Sequence, residues 1–335
     1  MTLSVQNPDA LIAAIPHLLG FQPQESIVFV SMRSDLPVAR VDIPTTPRDS
    51  DLVWRSIREG LSRYAQPGSS VGIVCMTADR RLADSVGQDF VARLDTIGID
   101  TRVRLWADET RWADLDTGDM GLQTDAARER IAAMTVLAGR AQPEASRDSL
   151  AASLVGDRGP VANLLPAARA AESESAPRTE SRWALGRLHR FQHNGFRLDD
   201  GDAARLLVAL DSIPIRDHLW TDMTRDTAAS HIALWTDMTK RAPDEVRAAP
   251  ASLLAFASWL KGDGAMAWCA LDQVPEGKPY ALANLVAAAV QGGVHPREWE
   301  TVKCLPVERG VERASDLAPS RPSAQLGSVY PTHGI

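Results

Sequence analysis

Along the first half of the chain, the spacing of apolar residues switches repeatedly between strand and helix. Ser26 to Met32 (SIVFVSM) is an unbroken β-branched and aromatic run, which predicts a strand covered on both faces. A turn at Ser34 and Asp35 leads into Val38 to Ile43, a second strand, so the pair predicts an antiparallel hairpin ended by Pro44 and Pro47. Val71 to Met76 (VGIVCM) predicts a third buried strand. Thr101 to Trp106 (TRVRLW) alternates like a fourth strand near a sheet edge. Between these runs the period becomes helical. Leu11, Ile12, Ile15 and Leu18 share one face of a short helix capped by Asn7 or Asp9 and stopped at Gly20. Val53, Ile57, Leu61 and Tyr64 mark a second helix, stopped at Pro67-Gly68. Leu82, Val86, Phe90, Leu94 and Ile97 mark a third, closed by Gly98, and Ala127, Ile131, Met134 and Ala138 a fourth. Strands separated by crossover helices become parallel neighbours. The expected fold class is therefore α/β, with a mixed sheet of about four strands flanked by helices.

The second half carries no strand pattern. Between about Arg140 and Ser181 the chain turns to Ala, Ser, Glu, Arg and Pro, and Ala170 to Ser181 (AAESESAPRTES) reads as an exposed linker. Helical spacing then runs through Ala203–Leu210, Ala228–Thr239, Ala251–Lys261, Ala265–Gln273 and Tyr280–Gln291. After Pro306 the periodicity is lost. The expected organisation is an α/β domain over 1–141, a helical and linker segment over 142–181, a helical domain over 182–300 and a disordered tail over 301–335. The hexapeptide LWTDMT occurs at Leu219 and again at Leu234; a small duplication setting Trp220 and Trp235 against the core explains it more simply than a repeated binding surface, because solenoid repeats are longer. In Phe256 to Val286, small residues at Ala257, Ala267 and Ala270 permit close helix approach. Gly262 and Gly264 make a tight joint, with Trp259 and Trp268 filling the wedge. This pattern resembles one tetratricopeptide-like helix pair. Such pairs build peptide-binding grooves, which makes Trp259, Asp263 and Trp268 candidate binding residues.

Composition narrows the class. At 44% hydrophobic and 24% charged residues the chain is globular in type. Asp9 and Pro16 interrupt the apolar start, which does not read as a signal peptide, and the longest nearly apolar run, Tyr280 to Val290, is too short to span a bilayer. A cytoplasmic protein with no membrane contact is expected. Cys75, Cys269 and Cys304 lie far apart, with no CxxC pair, which suggests neither a disulfide framework nor a zinc site. The formal charge of −7 argues against a surface built throughout for nucleic acid, while leaving room for a local basic patch.

Candidate chemistry sits in four places. His17, Arg40 and Asp42 are the polar residues inside the patterned N-terminal segments. His17 is a candidate acid/base group oriented by Asp42, against the simpler reading of a helix-end imidazole and an Arg40–Asp42 pair along one strand. Asp42, Asp79 and Asp108 each follow a strand, where clustered carboxylates hold Mg²⁺ for phosphate chemistry if the strands end on one side; yet Thr77-Ala78-Asp79-Arg80 matches no phosphate loop. His189 and His193 are spaced i, i+4 without an HExxH motif, so no metal is expected there. From Arg178 to Arg197, Arg182, Arg187, Arg190 and Arg197 alternate with Trp183, Phe191 and Phe196. That composition suits phosphate contact with base stacking, or an amphipathic helix with aromatics inward and arginines solvated. No GxSxG elbow or Cys-His signature marks a hydrolase.

Pro16-His17-Leu18-Leu19-Gly20-Phe21, Pro23, Ser26-Ile27-Val28 and Arg40-Val41-Asp42-Ile43-Pro44, with the distant Trp259-Leu260-Lys261-Gly262-Asp263-Gly264-Ala265 and Ala267-Trp268, resemble domain-of-unknown-function family 4192. The similarity covers roughly residues 5 to 300, with Trp106 to Leu122 divergent. The resemblance implies an actinobacterial, cytosolic protein with this domain order, and it supplies no activity, substrate or catalytic residue. The leading expectation is accordingly a non-enzymatic protein-binding or scaffold module with another protein as partner and no cofactor. The alternative is an enzyme acting on a phosphorylated or nucleotide-like small molecule at the sheet edge, and the third is nucleic-acid binding through 178–197.

Overall fold

A computed structural model describes residues 7–32, 36–138, 141–277, 279–303 and 330–332. The N-terminal part runs α1 (Pro8–Leu19), β1 (Ser26–Ser31), β2 (Val38–Asp42), α2 (Pro47–Tyr64), β3 (Ser70–Met76), α3 (Arg80–Asp95), β4 (Asp100–Ala107), β5 (Arg111–Asp114), β6 (Met120–Leu122) and α4 (Asp125–Leu137). Helices then follow without a strand: α5 (Arg147–Ala152), α6 (Gly159–Ala162), α7 (Leu165–Ser173), α8 (Pro177–Asn194), α9 (Asp200–Ala209), α10 (Ile213–Thr221), α11 (Ala228–Arg241), α12 (Ala248–Lys261), α13 (Gly264–Leu271), α14 (Ala281–Gln291) and α15 (Arg297–Lys303). A last short strand is β7 (Tyr330–Thr332).

The sheet is mixed, in the order β6-β5-β4-β3-β1-β2-β7, rather than the four strands expected. β5 and β6 are the additional pair from the N-terminal part, a meander from Arg111 to Leu122 in the divergent stretch. They place β4 inside the sheet, between β3 and β5, and not near an edge. Alternation in β4 misled because Arg104 is buried there, its charge met by Asp84 at 3.1 Å and Asp116 at 2.7 Å. β7 pairs antiparallel with β2, so residues 330–332 are an edge strand. The remainder of the expected tail beyond 303 lies outside the described residues, as do the turn residues Ser34 and Asp35.

Strand alternation divides the core by sheet face. Ile27, Phe29, Ala39, Val41, Val71, Ile73 and Cys75 face α2 and α3, whose Ile57, Leu61, Val86, Phe90 and Leu94 complete one cluster. Val28, Val30, Val38, Val74, Met76, Val103 and Leu105 face the other way and join a cluster that continues through α1 and the later helices to Val290. The helical half is thus the second covering layer of the sheet. Ala170 to Ser181, read as an exposed linker, contains the end of α7, a short turn and the start of α8. The two copies of LWTDMT fall on separate helices: Trp220 ends α10 and stacks on Trp299 at 5.0 Å, while Trp235 in α11 is fully buried. Both serve the core.

Candidate functional site

The first place to look is the carboxyl edge of the sheet, where open α/β folds bind ligands. β1 runs antiparallel to β2 and to β3, and β3 is parallel to β4, so β2, β3 and β4 all point the same way. Ser26 pairs with both Asp42 and Met76, and Met76 with Ala107, which sets Asp42, Asp79 and Asp108 along one edge. The chain itself occupies these groups. Asp79 caps α3, accepting from the Arg81 and Leu82 amides at 2.9 and 3.1 Å. Asp108 accepts from the Thr110 and Arg111 amides and pairs with the Arg111 guanidinium at 2.7 Å. Burial works against the Asp108 carboxylate, yet these bonds outweigh it and hold its pKa below the ordinary range. Asp42 pairs with Arg40 at 2.6 Å. Among the described residues no group of three or more such side chains could hold a metal ion.

One residue at this edge departs from ordinary backbone geometry. Glu25 has φ +41, the only positive value outside glycine among the described residues. Its carbonyl accepts from the Ile43 amide at 2.9 Å, and its carboxylate accepts from Thr77 Oγ1 at 2.7 Å and the Ala78 amide at 3.3 Å. Glu25 and Asp79 therefore cover donors at the entrance to α3, the place where α/β folds that bind phosphate hold it.

Of the predicted site residues, the structure brings Arg40 and Asp42 together and leaves His17 apart. Arg40 is 7% exposed, donates from Nε to Ser26 Oγ at 2.9 Å and lies over the Phe21 ring. His17 lies in the last turn of α1; burial pushes its pKa down, and its Nδ1 has no hydrogen-bond partner among the described residues. No hydrogen bond or ion pair joins it to Arg40 or Asp42 among the described residues. Trp259 is 6% exposed and donates to the Val294 carbonyl at 2.9 Å. Asp263 caps α13 by accepting from the Met266 amide at 2.9 Å, and Trp268 is half-buried. The two patterned motifs do meet, since a side chain at Gly20 would touch the Asp263 carboxylate at 3.7 Å.

The second place is a trough between α8 and α10, formed by adjoining hollows of about 520 and 540 Å³ that share Arg178, Ser181 and His218. Glu180, Ala184, Leu188 and Phe191 bury the inner face of α8, which turns Arg178, Arg182, Leu185 and His189 outward. Ser181 Oγ lies 3.2 Å from His218 Nδ1 across the trough. His189 Nε2 faces Asp222 at 3.4 Å. Buried His231 faces the other Asp222 oxygen at 3.5 Å, and its Nδ1 accepts the Trp235 indole N–H at 3.2 Å. Burial would raise the Asp222 pKa, but hydrogen bonds from His189 and Gln192 outweigh it and leave it low. Asp217, a carboxylate in the trough lining, pairs with Arg216 at 2.6 Å. Arg178 and Arg182 have no carboxylate partner among the described residues.

The family described as Domain of unknown function (DUF4192) matches residues 8–297. The chain belongs to this family. Comparison with curated proteins and with solved structures gives no match. The DUF4192 span takes in both the sheet edge and the α8–α10 trough. Among the described residues, no helix is long and apolar enough to cross a membrane. Sequence reasoning singled out the Arg178–Arg197 stretch but not the trough, whose other wall, with His218, is distant in sequence. The readable signal was Arg178, Arg182, Leu185 and His189 at i, i+4, i+7 and i+11, one outward stripe of a helix.

Proposed function

We propose that this DUF4192 chain is a protein-binding module that engages its partner along the trough between α8 and α10. The observation that carries this reading is an imbalance of charge: Arg178 and Arg182 stand exposed with no ion pair among the described residues, while Asp217 and Asp222 are paired within the chain. In a chain of formal charge −7, an unmatched cationic trough favours an acidic visitor over the rest of its own kind of surface. The lining residues Arg178, Arg182, Gly186, His189 and His218 are all exposed, which suits a polypeptide segment better than a small molecule needing burial on most sides. The test is a photo-reactive side chain at Thr221, on the rim, in the full chain within its source cells. It should give one defined protein adduct that disappears when Arg178 and Arg182 are both changed to Glu. No adduct, or an adduct indifferent to that charge reversal, overturns the reading.

A further inference from the structure

We infer that the trough takes an acidic, amphipathic helix of the partner, laid across α8 at Gly186; the inference rests on the binding role proposed for this trough. Gly186 lies in the interior of α8, where glycine weakens a helix relative to alanine. No close approach among the described residues calls for it. A Cβ there would meet no atom within 4 Å, whereas at Gly293 it would lie 2.8 Å from the Gly60 backbone and at Gly156 3.0 Å from the Lys240 carbonyl. Those glycines serve close approaches inside the fold. Gly186 leaves the same kind of low point on the outside, at the wall of the trough. A missing side chain at a helix crossing lets two axes come closer, so the feature fits an approaching backbone.

The chemistry beside Gly186 specifies the visitor. Arg178, Arg182 and His189 supply cationic and hydrogen-bonding heads along one stripe, and half-buried Leu185 with the exposed Pro177 and Pro214 supplies apolar contact. From Arg178 to His189 the stripe runs about 16 Å, the length of roughly three helical turns. A partner helix with carboxylates flanking an apolar ridge matches both components. Nucleic acid matches fewer. Trp183 is held under the guanidiniums of Arg205 at 4.1 Å and Arg187 at 5.5 Å, and Phe191 is buried. Phe196, 74% exposed, stands alone beyond the helix end, so the segment presents no run of stacking platforms.

Anisotropy titrations of the purified full chain against three labelled probes test this. The probes are a helical peptide of Glu flanking a Leu ridge, a peptide of Glu alone with equal charge, and a single-stranded DNA of similar length. The amphipathic peptide should bind at least about tenfold more tightly than either of the others. Arg178→Glu with Arg182→Glu should weaken it by about tenfold or more, and salt should do the same progressively. Gly186→Leu should also lose about tenfold while the melting temperature holds or rises, since leucine favours the helix and its side chain enters open space. Tighter binding of the DNA, binding by none of the probes, or an unaltered affinity in Gly186→Leu overturns the helix inference. In each of those cases the Thr221 adduct still decides separately whether the trough binds protein.

Discussion

The carboxyl edge of the sheet and the α8–α10 trough are built from similar side chains and left in opposite states. At the edge, Asp42, Asp79, Asp108 and Glu25 each find an arginine, a hydroxyl or a backbone amide within the chain. At the trough the Asp217 carboxylate is paired with Arg216, and Arg178 and Arg182 make no ion pair among the described residues. A satisfied set of charges adds stability and order, while an unsatisfied one on an open surface has binding free energy still to gain. The carboxyl edge of the sheet is thus held by contacts within the chain, and the recognition role proposed for this protein falls on the helical layer that covers the sheet.

The two surfaces lie over separate core clusters, with Cys75 in one and Cys269 in the other, and thiol labelling gives the largest expected effect. Cys75 in β3 and Cys269 in α13 are both fully buried, and burial pushes each thiol up to about 12. At pH 8 such a thiol is thiolate in about one part in ten thousand, against roughly a quarter for an ordinary cysteine near 8.5. Peptide mapping after iodoacetamide should find both unmodified in the native protein and both modified in guanidinium. Rapid native labelling of Cys269 alone would mean that the helical layer opens independently of the sheet.

Next in size is the cost of disturbing the edge. Arg40→Ala removes a guanidinium that holds Ser26, the Gln24 carbonyl and Asp42. Asp42 is half exposed and regains water, so the expected loss is about 2–3 kcal/mol, from hydrogen bonds to a charged group and the hole left behind. Urea unfolding measures it. Binding at the trough should be unchanged, and a coupled loss of both would break the separation of roles.

Much of this layout is legible in the sequence, for a physical reason. β1 and β3 are covered on both faces, so their apolar runs are continuous, and Asn7, one of the two caps expected for α1, does cap it. β5 and β6 were not legible: they are short, and only Ala113 among their residues is buried, which leaves no period to read. The shared direction of β2, β3 and β4 is a property of pairing rather than of any segment. The trough escaped for the same reason, since Ser181 and His218 meet only when α8 packs on α10.

A smaller effect belongs to the buried side of α8. Glu180 is 3% exposed and takes two hydrogen bonds from Arg205, which hold its pKa below the ordinary range. A carboxyl depressed in the folded state adds stability that is complete above its unfolded value, about 4.3, and is lost as pH falls through the lower folded value. Glu180→Gln should therefore cost about 1.5–2 kcal/mol at pH 7 and progressively less as pH falls below 4. A pH-independent difference would assign the contribution to shape rather than charge.

The smallest expected change is the one that separates the two regions most cleanly. Arg178→Glu with Arg182→Glu alters two exposed side chains that make no ion pair among the described residues, on a helix held by its opposite face. Surface changes of this kind shift stability within about 0.5 kcal/mol. Glu near the start of α8 is also favoured by the helix dipole, which offsets part of any loss. The unfolding midpoint should therefore stay put while the adduct and the peptide affinity collapse. If the double variant instead loses as much stability as Arg40→Ala, the trough arginines belong to the fold, as those of the edge do, and the contrast between the two surfaces is gone.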